Sequence, residues 1–576
     1  MASGDTWQAK RSKPEAAFTR EAKSPSWAEV LVSLGVSILF VGAIWVLTDA
    51  GGAVGIARSD DWSYLLTQFE FAESGRFVMN NWAVTMLVGQ TLAAAPIVAV
   101  FGPSIAALQA FVAALSVASL VATYVVVRQV LPTGWSSFAV ASLAISPVYG
   151  PSIVSFMTDV PSLLFLSSSL LAGMWALRGP HIHWYWLIAS GLLALVAFTF
   201  RDYAIIAFPA VIIVGLALYS DRRVRLVLIS ALLLVAASAL GLYVWRHSLA
   251  NDLQLPGWDL AFSFQLLARG TLTIALLIAP GLAAVSWWRV NAVNPVRTVA
   301  LYAIAAGISA VTLLVAGFEL LGNVIHPFGT SWLLNGSGVR MWPLWVNRLM
   351  IVAAFMSLTL AIALAWRIWS ASAGESDRLS ALMAWTRNSP ARAVVVVFPI
   401  LLLLAHSGAT IVLGTWYIDR YFILVIPFLS AALLRVAIDR KWATRGTQLM
   451  IPGLCLLLLT GLGLHVVDFN ARFDGARWEM GEQLVDQGYR AEEIDAGVEW
   501  VTFHALDIGQ SPEQREYRPD RNWWTERYPD QPVCVTVTAI DAASIPDQDA
   551  AASTVVSTLL GREYSLVARP GPDPCP

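Results

Sequence analysis

Long apolar segments recur along most of this chain, and they constrain its fold more than any other feature of the sequence. A helix needs about 20 mainly apolar residues to cross the roughly 30 Å hydrocarbon core of a bilayer. Apolar residues make up 57% of the chain and charged residues only 13%, whereas soluble domains contain roughly 25% charged residues. Segments of the required kind lie near residues 27–48, 104–127, 136–154, 160–177, 184–200, 203–219, 226–245, 271–288, 298–321, 345–366, 393–413, 421–436 and 448–467. We therefore predict an all-α polytopic membrane protein with about 13 transmembrane helices.

The two ends of the chain are polar. Residues 1–26 carry five basic residues and lack the apolar core of a signal peptide, so we expect a cytoplasmic tail. Residues 468–576 have a soluble composition, with DFNARFDGARWEMGEQLVDQG typical of a helix ended by Gly488, and PVCVTVTAI and ASTVVSTLLGREYSLVARP typical of strands. The predicted parts are the tail over 1–26, a membrane domain over 27–467 with an outer loop at 49–83, and a small C-terminal extracytoplasmic α/β domain over 468–576.

The segment at 80–102 decides the topology, because it is apolar enough to cross the membrane but contains Gln90 and Pro96. If it does not cross, 15 later basic residues lie in cytoplasmic loops and six lie outside; if it crosses, that ratio is inverted. Basic residues concentrate on the cytoplasmic side of membrane proteins. We therefore predict a juxtamembrane or re-entrant helix here, in a plasma-membrane protein with a cytoplasmic N-terminus and an extracytoplasmic C-terminal domain.

With that topology, four polar motifs open on the same outer face of the membrane. They are SDDWSY at 59–64, MTDVP at 157–161, FRDY at 200–203 and WYIDRY at 416–421. A charge at mid-membrane costs roughly 2.5–3.5 kcal/mol unless it faces water or an opposite charge. The motifs therefore predict a shared aqueous site at the ends of several helices.

Simpler structural interpretations exist for the same residues. Ser59 or Asp60 is a possible N-cap of a short helix, with Asp61 in its first turn. Asp159 is equally placed to cap a helix that begins at Pro161. Local ion pairs, of Arg201 with Asp202 and of Arg420 with Asp419, are the corresponding alternatives for the two arginines.

The four motifs, in this order, resemble those of GT-C glycosyltransferases, in particular the protein O-mannosyltransferase and aminoarabinose transferase families. The acidic pair followed by Tyr64 resembles their Asp-Glu loop, and MTDVPSLLFLSSSLLAGMWALR resembles their second outer motif. FRDYAIIAFPA and DRYFILVIPFL resemble the arginine-bearing turns that precede spans containing proline. The chain departs from the pattern in having Asp-Asp for Asp-Glu, and NNWAVTM where His-Pro-Pro is often found.

The resemblance implies a GT-C-like membrane enzyme that transfers a sugar from a polyprenyl-phosphate donor to an acceptor hydroxyl at the outer face, with inversion. It implies that Asp60 is the general base and that Asp61 is either a supporting carboxylate or part of a divalent-cation (Mg or Mn) site formed with Asp60. Arg201, Arg420 and Tyr421 are expected to bind the donor phosphate, since arginine presents paired donors to an oxyanion. Further candidates for the site are Tyr64, Asp159, Asp202, Arg269, His326, Arg340 and Arg348. The implied partners are the lipid bilayer, the donor and a lipid, glycan or protein acceptor, and no nucleic acid.

A transporter or flippase of a lipid-linked saccharide is the main alternative, since it also needs many spans around a polar cavity. The sequence favours the transferase, because it contains no recognisable inverted repeat and its acidic motifs lie at helix ends. His406, inside an apolar run, is expected to bond the backbone of its own helix. Cys534 and Cys575 either pair in an oxidising compartment or remain apart, with Cys575 in the proline-rich terminus.

Overall fold

The computed structural model of the chain describes residues 24–79, 82, 85–249, 259–285, 287, 295–327, 339–371, 389–415, 417–444, 446–505, 524–525, 528, 531–541, 550–573 and 575. The predicted N-terminal tail lies almost entirely outside the described residues, as does Trp416 of the fourth motif.

The described part of the chain is mainly helical. Its helices are α1 (Trp27–Ala50), α2 (Asp61–Ser74), α3 (Val88–Phe101), α4 (Ile105–Arg128), α5 (Thr133–Ala144), α6 (Gly150–Ile153), α7 (Asp159–Ala176), α8 (Trp184–Phe200), α9 (Ala207–Leu218), α10 (Arg222–His247), α11 (Leu260–Leu277), α12 (Ala279–Ala283), α13 (Pro295–Val315), α14 (Leu344–Ala371), α15 (Pro390–Leu413), α16 (Ile426–Asp439), α17 (Met450–Asp486) and α18 (Val498–Phe503). Short 3₁₀ turns at Asp202–Ile206 and Asp419–Leu424 lead into α9 and α16.

Nine of these described helices are long and apolar enough to cross a membrane, namely α1, α4, α7, α10, α11, α13, α14, α15 and α17. Three shorter apolar stretches are α3, α8 and the continuous run Asp202–Leu218. The predicted fold class is confirmed, whereas the number of 13 spans stays a prediction. The 14 residues of α3 reach about 21 Å at 1.5 Å per residue, which is less than the bilayer core requires.

Two of the predicted spans are broken by proline. The run at 136–154 ends as a helix at Ala144, and a turn containing Pro147 separates it from α6. The run at 271–288 is interrupted between α11 and α12, where Pro280 lies in the first turn of the second helix. Proline disfavours helical backbone in the residue before it and removes a backbone donor, which explains both breaks.

Helix α17 corrects the prediction of a separate amphipathic helix after the last span. The apolar run at 448–467 and the amphipathic run that follows form a single 37-residue helix, because Pro452 lies in its first turn, where proline is tolerated, and the polar residues continue the helical pattern. The helix ends at Asp486, two residues before the positive-φ Gly488.

A four-stranded sheet forms the C-terminal domain. Its strands are β1 (Ile494–Asp495), β2 (Val535–Asp541), β3 (Ala552–Ser557) and β4 (Glu563–Pro570), in the order β1-β2-β4-β3. Strand β1 is parallel to β2, and the other two pairings are antiparallel. Cys534 and Cys575 form a disulfide with their Cα atoms 5.5 Å apart. Of the two alternatives for these cysteines, pairing is therefore the one the structure adopts.

Hydroxyl side chains let α4, α7 and α8 pack closely. Thr123 and Ser167 lie 3.1 Å apart across α4 and α7, and Ser169 donates to the Ser190 carbonyl across α7 and α8 at 2.8 Å. Small polar residues of this kind permit close helix approach and supply hydrogen bonds in an apolar environment. The packing brings the N-terminus of α7 beside the C-terminus of α8, where two of the polar motifs lie.

Candidate functional site

The four polar motifs converge on two ion pairs. Arg420 Nη2 lies 2.5 Å from Asp60 Oδ2, and Arg201 Nη2 lies 2.7 Å from Asp159 Oδ2. We call these four residues the Asp60 cluster. Each pair joins motifs that are distant in sequence, so the local pairs of neighbouring residues are not formed. Asp60 occupies the N-cap position of α2 but makes no side-chain capping bond.

Tyrosines fill the space between the two pairs. The Tyr203 hydroxyl donates to Asp159 Oδ1 at 2.9 Å. The Tyr421 ring lies 5.1 Å from the Tyr203 ring and 5.6 Å from Arg201 Cζ. Tyr64, one turn after Asp60 on α2, is buried within the field of all four charged residues of the Asp60 cluster. Burial raises the pKa of Tyr64 to about 12, so its hydroxyl stays neutral at physiological pH.

The Asp60 carboxylate is held in its ionised form. Burial by itself raises its pKa, but Arg420, a hydrogen bond from Trp82 and the charge of Arg201 together lower the pKa below its ordinary value. Trp82 Nε1 donates to Asp60 Oδ1 at 2.9 Å. Trp82 belongs to NNWAVTM, the segment that departs from the family pattern, and the sequence analysis did not identify it.

The arginines of this cluster retain unused hydrogen-bond capacity. The Nε atoms of Arg201 and Arg420 and the hydroxyl of Thr158 are buried and have no hydrogen-bond partner among the described residues. Buried polar groups in native proteins are normally paired. A bound oxyanion would satisfy these donors, and arginine is well suited to bind one.

His406 makes the predicted bond to the backbone of its own helix and also contacts two tyrosines of the site. Its Nδ1 lies 2.9 Å from the Leu402 carbonyl of its own helix, which confirms the predicted backbone bond. Its ring, however, lies 4.6 Å from Tyr203 and 5.5 Å from Tyr421, and its buried Nε2 has no partner in the described structure. The histidine is therefore part of the aromatic wall of the site, which its position inside an apolar run did not reveal.

Asp61 faces away from its neighbour. Its two carboxylate oxygens accept the backbone N–H groups of Arg58 at 2.5 Å and Phe156 at 3.0 Å. Burial raises the pKa of Asp61 to about 8, because these bonds offset only part of the desolvation. Both oxygens are thus committed to holding the loop before α2 against the turn before α7. A joint cation site of Asp60 and Asp61 stays a prediction, and no group of three or more metal-binding side chains occurs among the described residues.

Asp419 has the same role beside Arg420. Its carboxylate accepts the backbone N–H groups of Val324 and Ile325 at 2.9 and 2.6 Å. Burial raises its pKa to about 6, with these bonds and Arg420 acting in the opposite direction. The aspartate therefore anchors a loop to the turn that presents Arg420.

The other predicted residues lie on several further segments of the chain. Arg269 pairs with Glu319 at 2.5 Å, and burial together with Arg269 lowers the pKa of nearby His326 to about 4. Arg348 is exposed on α14, Arg340 is partly buried at the edge of a described segment, and Asp202 lies within electrostatic reach of Tyr421. The structure thus brings Asp60, Tyr64, Asp159, Arg201, Arg420 and Tyr421 together. His326 follows Ile325, whose N–H donates to Asp419 beside Arg420.

A second buried cluster supports the loop before α2. Arg58 Nε lies 3.2 Å from Asp474 Oδ2, and Arg477 Nη2 lies 3.2 Å from Asp474 Oδ1 and 2.9 Å from Glu499 Oε2. We call these four residues the Arg58 cluster. It joins the first loop to α17 and to the C-terminal domain. Sequence reasoning did not find it, because its members are far apart in the chain: Arg58 and Asp474 are separated by 416 residues.

Glycines permit this close assembly. At Gly475 of α17, a Cβ atom would lie 2.2 Å from the carbonyl oxygen of Gly51 in the first loop. At Gly497 (φ +101°), a Cβ atom would lie 1.9 Å from Arg477 Nη1. Both positions exclude any other residue without rearrangement.

These observations define a polytopic membrane protein with a buried Asp–Arg site at the ends of its helices. Residues 90–245 match the family model described as dolichyl-phosphate-mannose-protein mannosyltransferase. This match agrees with the predicted resemblance to protein O-mannosyltransferases over that stretch, which contains Asp159 and Arg201 but not Asp60 or Arg420.

Distant similarities to solved structures extend over more of the chain. ArnT from Cupriavidus metallidurans in the apo state is 14% identical, with 93% of this chain and 98% of that chain covered and a TM-score of 0.37. The same protein bound to undecaprenyl phosphate gives 12% identity, the same coverage and a TM-score of 0.35. The oligosaccharyltransferase AglB from Archaeoglobus fulgidus is 12% identical, with 89% and 70% coverage and a TM-score of 0.39. No curated protein sequence matches the chain.

Proposed function

We propose that this protein transfers a sugar from a polyprenyl-phosphate donor to an acceptor hydroxyl at the outer face of the membrane, with inversion of the anomeric configuration. The observation that carries the proposal is the Asp60–Arg420 pair beside Arg201, which brings one carboxylate and two guanidinium groups into one cluster. The family match at residues 90–245 supports it, since its description names a lipid-phosphate sugar donor.

Asp60 is the proposed general base. Its lowered pKa keeps it ionised at neutral pH, and its side chain, 24% exposed, is open enough to receive an acceptor. Its carboxylate accepts the proton of the acceptor hydroxyl while that oxygen attacks the anomeric carbon. The bond from this carbon to the phosphate oxygen breaks on the opposite face. A positioned base contributes roughly 10²- to 10⁴-fold in rate.

Arg201 and Arg420 are the proposed phosphate ligands. Both stay protonated, and both have a buried Nε with no partner in the described structure. Charge-assisted bonds to the departing phosphate stabilise the negative charge that develops on it. Tyr421 lies beside Arg201 and completes the binding surface.

Arg420 couples the two halves of this proposal. It is bonded to Asp60, so a donor phosphate competes with Asp60 for the same guanidinium group. When the phosphate takes Arg420, Asp60 loses the cation that most lowers its pKa and becomes a stronger base. Donor binding therefore prepares the carboxylate for the acceptor.

The placement in the cell is part of the same proposal. We place the protein in the plasma membrane, with a cytoplasmic tail over 1–26, a membrane domain over 27–467 and an extracytoplasmic C-terminal domain over 468–576. The acceptor is a lipid, a glycan or a protein. The short helix α3 supports this topology, since it is too short to cross the bilayer core unaided.

The test is transfer of labelled sugar from polyprenyl-phosphate donors by the purified full-length protein. Asp60→Asn should lower turnover by roughly 10²- to 10⁴-fold, because an amide cannot accept the proton. Glu73→Gln, on the exposed face of the same helix, is the matched control and should turn over normally. Retained turnover in Asp60→Asn would exclude Asp60 as the base. Movement of a lipid-linked saccharide across liposomes without any transfer would favour the transporter instead.

A further inference from the structure

Two consecutive leucines occupy the turn between β3 and β4. Leu559 is 56% exposed and Leu560 71% exposed, although hairpin turns are normally built from polar residues and glycine. The turn is well ordered by its own bonds, because Thr558 N–H donates to the Arg562 carbonyl at 2.9 Å and Gly561 N–H donates to the Thr558 carbonyl at 2.8 Å. Two large apolar side chains are therefore displayed on a fixed turn.

The β3–β4 turn contacts α17 at the point where the apolar segment of that helix ends. Leu559 N–H donates to Asp468 Oδ2 at 2.6 Å, and Asp468 is the first charged residue after the apolar run at 448–467. Arg472 lies 2.8 Å from the other oxygen of Asp468. The carboxylate is thus buried and neutralised at the boundary between the span and the domain, where an exposed acid would be costly.

A cavity beside the C-terminal half of α17 shows in which direction the β3–β4 hairpin runs along that helix. A cavity of about 540 Å³ is lined by Thr554–Ser557 of β3 together with Trp478, Glu479 and Glu482 of α17. Residues 554–557 thus line this cavity with residues between 472 and 482 of α17, all C-terminal to Asp468, which bonds residue 559. Strand β3 therefore runs along α17 towards the apolar segment, and the turn is the end of the domain nearest to it.

The apolar surface continues below the turn. Leu454, Leu457 and Leu458 are exposed on the apolar half of α17, and side chains exposed on a membrane span face lipid. Leu559 and Leu560 extend this surface onto the domain. We propose that the β3–β4 turn inserts Leu559 and Leu560 into the lipid interface, so that the bilayer itself is a binding partner of the C-terminal domain.

The experiment uses full-length protein in phosphatidylcholine nanodiscs. A Cys455→Ser background leaves the Cys534–Cys575 disulfide as the remaining cysteine pair. An environment-sensitive fluorophore is attached to Leu560→Cys or, as the matched control, to Ala551→Cys at the other end of β3, which is also exposed. We expect blue-shifted emission at position 560 and several-fold stronger quenching by spin-labelled lipid than at position 551.

The result has clear alternatives. Emission typical of water at position 560, with no more lipid quenching than at position 551, would overturn the proposal. A blue shift that appears only with two copies per nanodisc, without lipid quenching, would assign the turn to contact between copies and would also overturn it. In the labelled Leu560→Cys protein, Leu559→Asp should reduce the blue shift, because a charge opposes insertion. None of these readouts depends on transferase activity.

Discussion

The Asp60 cluster and the Arg58 cluster are built from the same parts, two arginines and two carboxylates, yet they are suited to different tasks. Every side chain in the Arg58 cluster is at most 4% exposed, whereas the Asp60 carboxylate is 24% exposed. Buried arginine nitrogens without partners occur in both clusters. Arginine nitrogens without hydrogen-bond partners therefore do not distinguish a binding site from a structural cluster. The exposure of the carboxylate distinguishes them.

The contrast reaches down to adjacent residues. Asp60 bonds the side chains of Arg420 and Trp82, which can change rotamer. Asp61 accepts two backbone N–H groups, which cannot move unless the surrounding backbone moves with them. The same division separates Arg420 from Asp419. In each motif one residue fixes the backbone and its neighbour faces the site.

The largest expected effect is a loss of folding stability when the Arg58 cluster is broken. Asp474→Asn removes the carboxylate shared by Arg58 and Arg477 and leaves buried positive charge without compensation. Breaking a buried ion pair in this way costs about 3–5 kcal/mol. Chemical unfolding in detergent measures the loss, with Asp486→Asn, exposed on the same helix, as control. Equal stability of the two variants would contradict a supporting role.

The next largest expected effect is a loss of transfer activity when Arg420 of the Asp60 cluster is changed. Arg420→Lys keeps a positive charge near Asp60 but removes the planar donor pair, so transfer should fall about 10²-fold. The unfolding free energy should change far less than in Asp474→Asn. Steady-state kinetics with varied donor measures the first quantity, and Arg435→Lys is the control, since Arg435 pairs with Asp439 away from the site. A loss of stability in Arg420→Lys without a loss of transfer activity would contradict the assignment of the Asp60 cluster to the site and of the Arg58 cluster to structural support.

Gly497→Ala tests how tightly the support is packed. The added methyl group would clash with Arg477 Nη1 and would also occupy positive-φ backbone, at a cost of about 1–3 kcal/mol. Gly488→Ala is the matched control, because Gly488 has a similar φ of +105° and open space around it. The difference between the two melting temperatures isolates the clash. No difference would show that Arg477 can move aside freely.

The last comparison separates the adjacent aspartates by the pH dependence of folding stability. Asp61 has a pKa raised from 3.8 to about 8, so between these values the folded state binds more protons than the unfolded state, and stability falls as pH rises. Asp60, with a lowered pKa, contributes stability above its ordinary pKa that is lost on acidification. Thermal unfolding from pH 5 to about pH 9 should show the decline due to Asp61, and Asp61→Asn should flatten it. A steeper decline in that variant would contradict this assignment.

The sequence predicted the membrane fold and the meeting of its four motifs, because apolar runs and the polar residues that end them are local features. The choice of Asp60 over Asp61 and of Arg420 over Asp419 came from the resemblance and not from local pattern, since both members of each pair are polar. That choice depends on which partner the tertiary packing brings near. Trp82 was missed for the same reason, and so were the contacts of His406 with Tyr203 and Tyr421.

The Arg58 cluster was beyond local reasoning altogether. Arg58 and Asp474 are 416 residues apart in the chain, and no periodicity connects them. The two broken spans were predictable in principle, because Pro147 and Pro280 interrupt them. The continuous α17 was harder to foresee, since a change from apolar to amphipathic composition was interpreted as a boundary between elements.

Helix α17 has a mechanical consequence. Its 37 residues form a rod of about 55 Å, much longer than the bilayer core, so the lipid-embedded and exposed halves tilt as one rigid body. Gly475, on the exposed half, touches Gly51, and Asp474 holds Arg58. We therefore expect a change in bilayer thickness that alters the tilt of the last span to shift the loop that carries Asp60 through these contacts.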